Sequence, residues 1–396
     1  MDNLAIADVA TERGLIGGPF GSSLVGTDYV EFGVPVVRGS NMGGPAVSGD
    51  FAFVTAAKVA ADLSRNMALP GDLVFTQRGT LGQVAMVPAG EFSEYIISQS
   101  QMRLRVNEKV ANPRFVYFAC TAPAFMEQIR ENAISTGVPH INLGILSRLT
   151  IPWFHLGKQR AIVEVLGALD DKIAVNDGIG RTTDKLLAAL FSRLCIGATW
   201  GTLNDIAIVN AVVTRPVTDG SLRYVDISSV SVGNYELPPV ISWDEAPSRA
   251  RRVLKAGDTV WSTVRPNRRS HALILDDDAS LIASTGLAVL SPNKGRVACV
   301  YESTRTAEFV RYLESVAEGS AYPAVRGDRF NDAPVPALCN DKWDRFESMA
   351  LPLRKRAYAA ARETRSLAIT RDELLPLLMS GKVCVRDVEK IVEEVV

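Results

Sequence analysis

The sequence predicts an α+β protein with two globular domains, joined by a pair of long antiparallel helices (a coiled coil) and related by an internal pseudo-twofold repeat. Three observations predict this fold class. Two stretches carry apolar residues at seven-residue spacing, short strand-like runs precede each of them, and this order occurs twice in 396 residues. The predicted boundaries are domain 1 at 1–150, the first long helix at 151–195, domain 2 at 196–340, the second long helix at 341–380 and a C-terminal tail at 381–396.

In the first domain, short apolar runs at 34–37, 71–75 and 83–87 predict strands, because glycine, proline and asparagine residues bound them. A helix is expected to begin after Asn112-Pro113, where proline fits the first helical turn. A second helix is expected around 125–129. The first domain therefore combines strands with helices.

The first long helix is predicted over 158–194 and its partner over 346–378, because heptad spacing of apolar residues is typical of helices that pack along a narrow seam. The alanine-rich second seam allows close approach of a helix that carries leucine and isoleucine. Glycines near Asn176 and a proline at Pro352 are expected to bend or break these helices. Two ordinary amphipathic helices on separate cores are the alternative. The heptad series are Ile162, Leu169, Asn176, Thr183 and Leu190 with Leu166, Ile173, Gly180, Leu187 and Leu194, then Phe346, Leu353, Ala360, Leu367 and Leu374 with Ala350, Ala357, Thr364, Arg371 and Leu378.

The internal repeat rests on several matches at nearly one offset, which indicates that a whole domain and its helix occur twice. The matched pairs are Gly71–Phe75 with Gly257–Trp261 and Ser98 with Ser284 at an offset of 186 positions, Ile151-Pro152 with Val335-Pro336 at an offset of 184, and Leu186-Leu187 with Leu374-Leu375 at an offset of 188.

The composition is that of an ordinary globular chain, with 47% apolar and 22% charged residues. The five cysteines are scattered, which favours reduced thiols and a cytoplasmic protein. Neither a signal peptide nor a membrane-spanning run is expected. A net charge of −1 argues weakly against nucleic acid, but seven basic residues and one acidic residue lie in 249–269. That cluster is either a solvated charge run, the commoner case, or part of a basic face.

No motif in the sequence predicts catalysis, cofactor binding or a metal site. Asn112-Pro113-Arg114-Phe115 only approaches an adenine-methyltransferase loop, and a helix start explains it better. Gly381-Lys382 lacks the upstream glycine and the following Ser or Thr of a phosphate-binding loop. The three histidines have no metal-ligand spacing.

The candidate binding residues are polar groups on predicted loops, and those around Arg78 and Arg265 directly follow the repeated strands. Arginine can bind guanine or phosphate through two hydrogen bonds, and asparagine can bind adenine. A solvated turn is the alternative for any one of them. The candidates are Arg78, Gly79, Thr80, Ser135, Thr136, His140 and Asn142 in the first half, and Arg265, Asn267, Arg268, Arg269, Tyr322 and Arg326 in the second.

These features together resemble the specificity subunit of a Type I restriction-modification system, over essentially the whole chain. Each motif is weak alone, and the order and duplication make the resemblance specific. The sequence departs from the family pattern at Trp343-Asp344-Arg345-Phe346, where Glu-Gln-Arg is expected, and at Lys158, where Glu is usual. The motifs are 69–75 with 78–82, 135–137 with 141–142, 151–152 leading into 159–162, 166–173, 255–258 and 378–383.

The resemblance implies a non-catalytic subunit with two target recognition domains, each reading one half of a bipartite site in double-stranded DNA. It implies two adenine-N6 methyltransferase subunits as partners and, for restriction, two restriction/translocase subunits. S-adenosylmethionine would be held by the methyltransferase, and ATP and Mg by the restriction subunit. A protein-interaction scaffold with duplicated binding domains is the alternative, and salt-dependent binding to a defined duplex separates the two. An enzyme would need a catalytic constellation that the sequence lacks.

Overall fold

The computed structural model describes residues 2–135, 137–293, 295–383 and 385, and they have mixed helix and strand content. The chain divides into two compact units. Unit 1 comprises Met1–Val175 and Thr364–Val396, and unit 2 comprises Asn176–Glu363.

Unit 1 contains two sheets and a small strand pair. The elements up to the end of the first long helix, which continues into unit 2 from Asn176 on, are β1 (Asn3–Ala5), α1 (Ile6–Val9), β2 (Ala10–Gly17), β3 (Tyr29–Val30), β4 (Val34–Val37), β5 (Ala52–Val54), α2 (Ala56–Lys58), β6 (Met67–Ala68), β7 (Leu73–Thr76), β8 (Val84–Met86), β9 (Tyr95–Ile97), β10 (Gln101–Val106), α3 (Pro113–Thr121), α4 (Pro123–Asn132), α5 (Leu143–Arg148), β11 (Thr150–Pro152) and α6 (Leu156–Leu194). The strand orders are β2-β10-β7-β8 and β3-β5-β4-β9-β6, and β1 pairs with β11.

Unit 2 repeats this plan. The elements after α6 are β12 (Thr199–Thr202), β13 (Ala207–Val209), β14 (Ser221–Val225), β15 (Val240–Ser242), β16 (Ala250–Val253), β17 (Thr259–Ser262), β18 (His271–Leu273), β19 (Leu281–Ser284), β20 (Leu287–Pro292), α7 (Val297–Ser303), α8 (Ala307–Ser315), β21 (Pro334–Ala337) and α9 (Asn340–Met379), and α9 belongs to unit 1 from Thr364 on. The strand orders are β13-β20-β17-β18 and β15-β14-β19-β16, and β12 pairs with β21.

The two units share strand register as well as strand order. In unit 1, Thr76 pairs with Gln101, and in unit 2 Ser262 and Leu287, each 186 positions later, form the equivalent pair. The second sheet of each unit contains one parallel pair, β4 with β9 and β14 with β19, and the other pairs in these sheets are antiparallel. The repeat predicted from the sequence is therefore present in the topology of both units.

The repeated Gly-Asp motif forms a turn before the central strand of each unit. Gly71 and Gly257 have φ values of +90° and +101°, which favour glycine. The carboxylates of Asp72 and Asp258 each accept a hydrogen bond of 2.8 Å from the amide three residues earlier. This capping explains why the motif recurs, since it fixes where each strand begins.

The cores join the sheets to the long helices. In unit 1, Phe75, Phe118 and Phe125 are buried in a cluster that also includes Leu166 of α6 and Leu374 of α9. Burying each such side chain contributes about 1.5–3 kcal/mol. Asn112 caps α3 by accepting hydrogen bonds from the amides of the first turn at 2.9 and 3.2 Å.

Both long helices are uninterrupted, so the expectation of a break near Asn176 or Pro352 is wrong, and the alternative of a bend stays a prediction. Their first residues, Leu156 and Asn340, are related by an offset of 184 positions. The structural equivalents of Leu374-Leu375 are therefore residues 190–191, and the match at an offset of 188 is not a structural one. Within unit 2, buried Asn176 donates a 2.8 Å hydrogen bond to Glu363 of α9, and such a buried polar pair fixes the register of two helices.

The departure from the family pattern at the start of α9 has a packing explanation. Gln159 of α6 accepts a 2.8 Å hydrogen bond from the Asn112 amide, which ties α6 to the start of α3. At the equivalent position of α9, the Trp343 ring stacks on Phe191 with centroids 6.2 Å apart. Glu347, one turn later, accepts hydrogen bonds of 3.1 and 3.0 Å from the first turn of α7. Each long helix is therefore hydrogen-bonded to the first helix of its own domain, by Gln159 in α6 and by Glu347 in α9.

No helix in the described part of the chain is long and apolar enough to cross a membrane. Four cysteines are present as free thiols, namely Cys120, Cys195, Cys299 and Cys339. Cys384 lies outside the described residues.

Candidate nucleic-acid interface

The loop after β7 carries the first group of predicted residues. Arg78, Gly79 and Thr80 follow the strand and are exposed. Gly79 has a φ of +105°, so the turn requires glycine at this position. Among the residues that the structure describes, none forms an ion pair with Arg78. The guanidinium group is therefore accessible to an anionic ligand.

A second loop, residues 134–140, lies against the loop after β7. Ile134 and His140 exchange backbone hydrogen bonds of 2.9 and 3.2 Å, and the Ile141 amide donates to the Gln77 carbonyl at 3.0 Å. Arg78 and His140 form a backbone bridge between the two loops. The structure thus brings together two predicted groups that lie far apart in the sequence.

The other predicted residues of this second loop have different surroundings. Ser135 is exposed, and Thr136 lies outside the described residues. His140 is half-buried, with Nδ1 3.1 Å from the carbonyl oxygen of Val138. The side chain of Asn142 caps α5, accepting a 2.9 Å hydrogen bond from its first turn. Asn142 therefore has a structural role that a base contact would have to share.

Unit 2 uses the same backbone pairing to join its two loops. Glu318 and Ala324 exchange hydrogen bonds of 2.9 and 2.9 Å, and the Val325 amide donates to the Thr263 carbonyl at 2.8 Å. Each of these contacts has its counterpart in unit 1 at an offset of 184 or 186 positions. The loops that carry the candidates are therefore equivalent in the two units.

The loop after β17 is more cationic and more constrained than its counterpart. Arg265 and Arg269 have φ values of +51° and +55° on either side of the short 3-10 turn Pro266–Arg268. Left-handed backbone at two arginines is uncommon and indicates strain. The guanidinium of Arg265 lies 4.4 Å from the ring centroid of Tyr322, whose side chain is 69% exposed. Asn267, Arg268 and Arg269 are exposed.

The equivalence of the loops does not extend to each arginine. The bridge of Arg78 with His140 corresponds to a bridge of Val264 with Ala324, so Arg265 lies one position later than Arg78. Tyr322 corresponds to Val138 at the offset of 184. The two units therefore present different side chains from similar backbones.

The basic cluster at 249–269 divides into structural and exposed members. Arg252 donates to the Leu287 carbonyl, and burial lowers its pKa. Arg268 and Arg269 are exposed, and no described residue forms an ion pair with either of them. Arg326, a predicted candidate, is 71% exposed, and its Nε lies 3.7 Å from Asp328. The cluster is thus only partly a charged surface.

One residue that contacts the loop after β17 was not predicted. His271 of β18 is buried, and its ring stacks on Trp261 with centroids 4.8 Å apart. Burial lowers the pKa of His271 to about 4, and Nδ1 lies 2.6 Å from the carbonyl oxygen of Arg269. The sequence signal was weak, since His271 only begins a short strand. This contact between the His271 ring and the Arg269 carbonyl holds the backbone at Arg269 in place.

Among the described residues, no group of three or more His, Cys, Asp or Glu side chains could hold a metal ion.

The comparisons with known proteins agree with these features. Residues 33–181 match the Type I restriction modification DNA specificity domain. The S subunit of a Type I restriction-modification system from M. genitalium aligns with a TM-score of 0.64 at 16% identity, covering 95% of each chain. The match to this domain and the likeness in fold confirm the resemblance of this chain to Type I specificity subunits. Such subunits are generally non-catalytic.

Two further solved chains align over 96% of this chain, at lower TM-scores. One belongs to a study of complex assembly and conformational transition of the Type I restriction-modification system, at 16% identity, a TM-score of 0.40 and 98% coverage of that chain. The other is an HsdS subunit from Thermoanaerobacter tengcongensis, at 15% identity, a TM-score of 0.37 and 97% coverage. No curated protein matches this sequence.

Proposed function

We propose that this chain reads a bipartite target in double-stranded DNA, with one half-site for each unit, as the specificity subunit of a Type I restriction-modification complex. The observation that supports this most is the duplicated pair of loops, which share backbone pairing and differ in side chains. Two modules with different loops on one chain can read two different half-sites. The target then need not be palindromic.

The chemistry of the loops supports DNA as the ligand. The exposed guanidinium groups of Arg78, Arg268 and Arg269, which form no ion pair with any described residue, can bind phosphate, or guanine O6 and N7. The glycine at Gly79 lets the backbone approach a ligand closely. Polar groups that can add hydrogen bonds are Thr80, Ser135, Thr136, His140, Asn142, Asn267, Tyr322 and Arg326.

Methylation in this proposal belongs to partner subunits. Two adenine-N6 methyltransferase subunits dock on the long helices, hold S-adenosylmethionine and flip the target adenine out of the duplex. Large apolar side chains on these helices support docking, because Val175 and Ile369 are 60% and 61% exposed, and Leu186 and Met349 are 45% and 40% exposed. For restriction, two restriction/translocase subunits supply ATP and Mg chemistry.

The experiment that tests this function is methylome sequencing of cells with and without the chain. The proposal predicts that one bipartite adenine motif loses methylation when the chain is absent and regains it on re-expression. An unchanged methylome, in cells where the partner methyltransferase is present, contradicts it. Duplex binding by the assembled complex separates this function from a protein-interaction scaffold, since affinity for DNA falls steeply with salt.

A further inference from the structure

Unit 1 contains an ion pair between the long helices. Arg371 of α9 donates a 2.9 Å hydrogen bond to Asp170 of α6, and the Asp170 side chain is 6% exposed. Tyr117 of α3 lies close by, and burial together with the charge of Asp170 raises the pKa of its hydroxyl to about 12. In this unit α6 contributes the acid and α9 the base.

Unit 2 contains a second ion pair between the same two helices. Arg354 of α9 donates a 2.9 Å hydrogen bond to Asp184 of α6. Arg305 binds the other oxygen of Asp184 at 2.7 Å, and both arginines also bind Glu302, which is 2% exposed. The Arg354 guanidinium lies 4.8 Å from the ring centroid of Tyr301. Here α6 again contributes an acid, and α9 again contributes a base.

The two ion pairs occupy related places in the repeat. Because the first residues of α6 and α9 are offset by 184 positions, Arg354 is the equivalent of Asp170. The first residues of α3 and α7 have the same offset, so Tyr301 is the equivalent of Tyr117. One position of the repeat is therefore acidic in α6 and basic in α9. The residues that pair with them, Arg371 with Asp170 and Asp184 with Arg354, are not equivalent to each other. The equivalent of Arg371 in α6 is Leu187, which lies about one helical turn after Asp184.

We propose that these ion pairs are a pairing code, which directs α6 to α9 and disfavours association of either helix with the same helix of a second copy of this chain. Because α6 and α9 belong to repeated halves and have related seams, each helix could pair with its own counterpart in a second copy of the chain if no contact opposed it. Opposite charges in the correct pair and like charges in the wrong one are an effective means of selecting a helix partner.

The wrong pairs can be derived from the observed contacts. If the α6 of a second copy replaces α9, its Asp170 takes the place of Arg354 and faces Asp184. If the α9 of a second copy replaces α6, its Arg354 takes the place of Asp170 and faces Arg371. Twofold symmetry repeats each like-charge contact. The α9 pair also brings Arg371 to a site that already holds Arg305 and Arg354, where the carboxylate of Asp184 is lost and Asp372 comes only with the arginine that it already binds.

Apolar packing discriminates between right and wrong partners along part of the seam only, where buried Ala350 of α9 would be replaced by the larger Leu166 of a second α6. The buried side chains of Leu374, Leu375 and Leu378 would be replaced by the equivalent residues of a second α6, which are also apolar (Leu190, Phe191 and Leu194). The hydrogen bond from Asn176 to Glu363 is specific to the correct pair, because Ile179 is the equivalent of Glu363. Where the apolar packing is alike, polar contacts therefore carry the selectivity.

The test is a double substitution, Asp170→Arg with Arg371→Asp, in the full chain. The variant keeps an ion pair at each native contact, but each helix becomes self-complementary. The new guanidinium on α6 can face Asp184 of a second copy, and the new carboxylate on α9 can face Arg354 of a second copy.

The matched control exchanges Arg114 and Asp171, which form a 2.6 Å ion pair between α3 and α6 outside the seam. Each protein is refolded from urea at concentrations that span roughly two orders of magnitude, because dimer formation depends on protomer concentration. Dimers are measured by size-exclusion chromatography with light scattering.

The pairing code predicts a higher dimer formation constant for Asp170→Arg/Arg371→Asp than for the wild type and the control, by about tenfold for each repulsion relieved. Dimers in which each α6 pairs with the other copy's α9 keep every native contact, so they form equally in all three proteins. Equal dimer fractions in all three overturn the proposal. If the charge-exchanged variant does not fold, the neutral variant Asp170→Asn/Arg371→Gln serves. It relieves the same repulsions, and an unchanged dimer fraction in it also overturns the proposal.

Discussion

Unit 1 and unit 2 share strand order and register, but they hold the turn before the central strand in different ways. In unit 1, Arg105 binds both oxygens of buried Asp72, at 2.8 and 2.7 Å. In unit 2, Ser291 stands at the equivalent position, and burial raises the pKa of Asp258. Backbone pairing and the capped turn are thus common to both, while side-chain interactions around them differ. Such a framework can present unlike loops without changing its fold.

The largest expected difference concerns the helix ion pairs. Arg354 belongs to a closed network with Asp184, Glu302 and Arg305, whereas Arg371 binds Asp170 and the neighbouring Asp372. Arg354→Leu leaves Glu302 buried with less compensation and is expected to cost about 3–5 kcal/mol. Arg371→Leu is expected to cost about 1–3 kcal/mol. Hydrogen exchange with mass spectrometry measures each unit separately.

The control for that comparison is Arg311→Leu, which removes an exposed pair with Glu308 and is expected to change stability by under about 1 kcal/mol. A larger loss of unfolding free energy in Arg371→Leu than in Arg354→Leu would show that the network does not stabilise unit 2.

The second difference is the acid sensitivity of unit 2. The pKa of His271 falls from its ordinary 6.5 to about 4, because burial disfavours the charged ring. A depressed pKa in the folded state contributes stability above pH 6.5 that is lost as the pH falls towards 4. The loss reaches about 3 kcal/mol. Unit 1 has Val84 at the equivalent position, paired with Phe75 as His271 is with Trp261.

His271→Val therefore tests this prediction. The variant is expected to be less stable at pH 7 because of lost packing, but its unfolding free energy should fall less between pH 6.5 and 4. Urea unfolding followed by tryptophan fluorescence reports mainly on unit 2, since four of the five tryptophans lie in residues 176–363. If the unfolding free energy fell equally between pH 6.5 and 4 in wild type and variant, His271 would not be the source of the acid sensitivity.

The third difference concerns the half-sites. Arg268→Ala/Arg269→Ala is expected to relax one half of the methylated motif, and Arg78→Ala the other. Each base-reading arginine that is lost should cost about 1–3 kcal/mol of DNA-binding free energy. A phosphate contact instead weakens all sequences alike and reduces the salt slope by about one. Arg130→Ala is the control, since Arg130 is exposed and pairs with Glu127 on α4. Unchanged motif and affinity in both variants would remove these arginines from the interface.

The smallest expected effect is that of Tyr322→Val, which introduces the residue found at the equivalent position of unit 1. Loss of the ring under Arg265 removes a cation–π contact worth about 0.5–1 kcal/mol at an exposed site. Because the ring orders Arg265, we expect weaker discrimination in the same half-site that Arg268 and Arg269 affect. Binding measured against a library of single-base variants detects this, and an effect on the other half-site would contradict it.

Local patterns predicted much of the framework. The heptad series predicted a helix over 158–194, and α6 spans Leu156–Leu194. The run at 34–37 coincides with β4, and the helix expected after Asn112-Pro113 is α3. These elements follow from periodicity and capping, which depend on neighbours in the sequence.

Long-range pairing could not be predicted in the same way. The contact of Asp184 with Arg354 joins residues 170 positions apart, and nothing in either local pattern marks it. Helix propensity also misled the prediction at Asn176, because tertiary packing outweighs the roughly 1 kcal/mol cost of each nearby glycine. Among the candidate residues, the capping role of Asn142 and the buried ring beneath Arg269 emerged only from the structure.

The central claim is that the two units read separate half-sites, and replacement of residues 1–150 by the equivalent domain of a related subunit tests it most directly. The readout is the methylated motif in cells that express the hybrid chain with its methyltransferase. We expect one half of the bipartite motif to change and the other half to remain. A motif in which both halves change, or an active hybrid in which neither changes, would contradict independent reading by the two units.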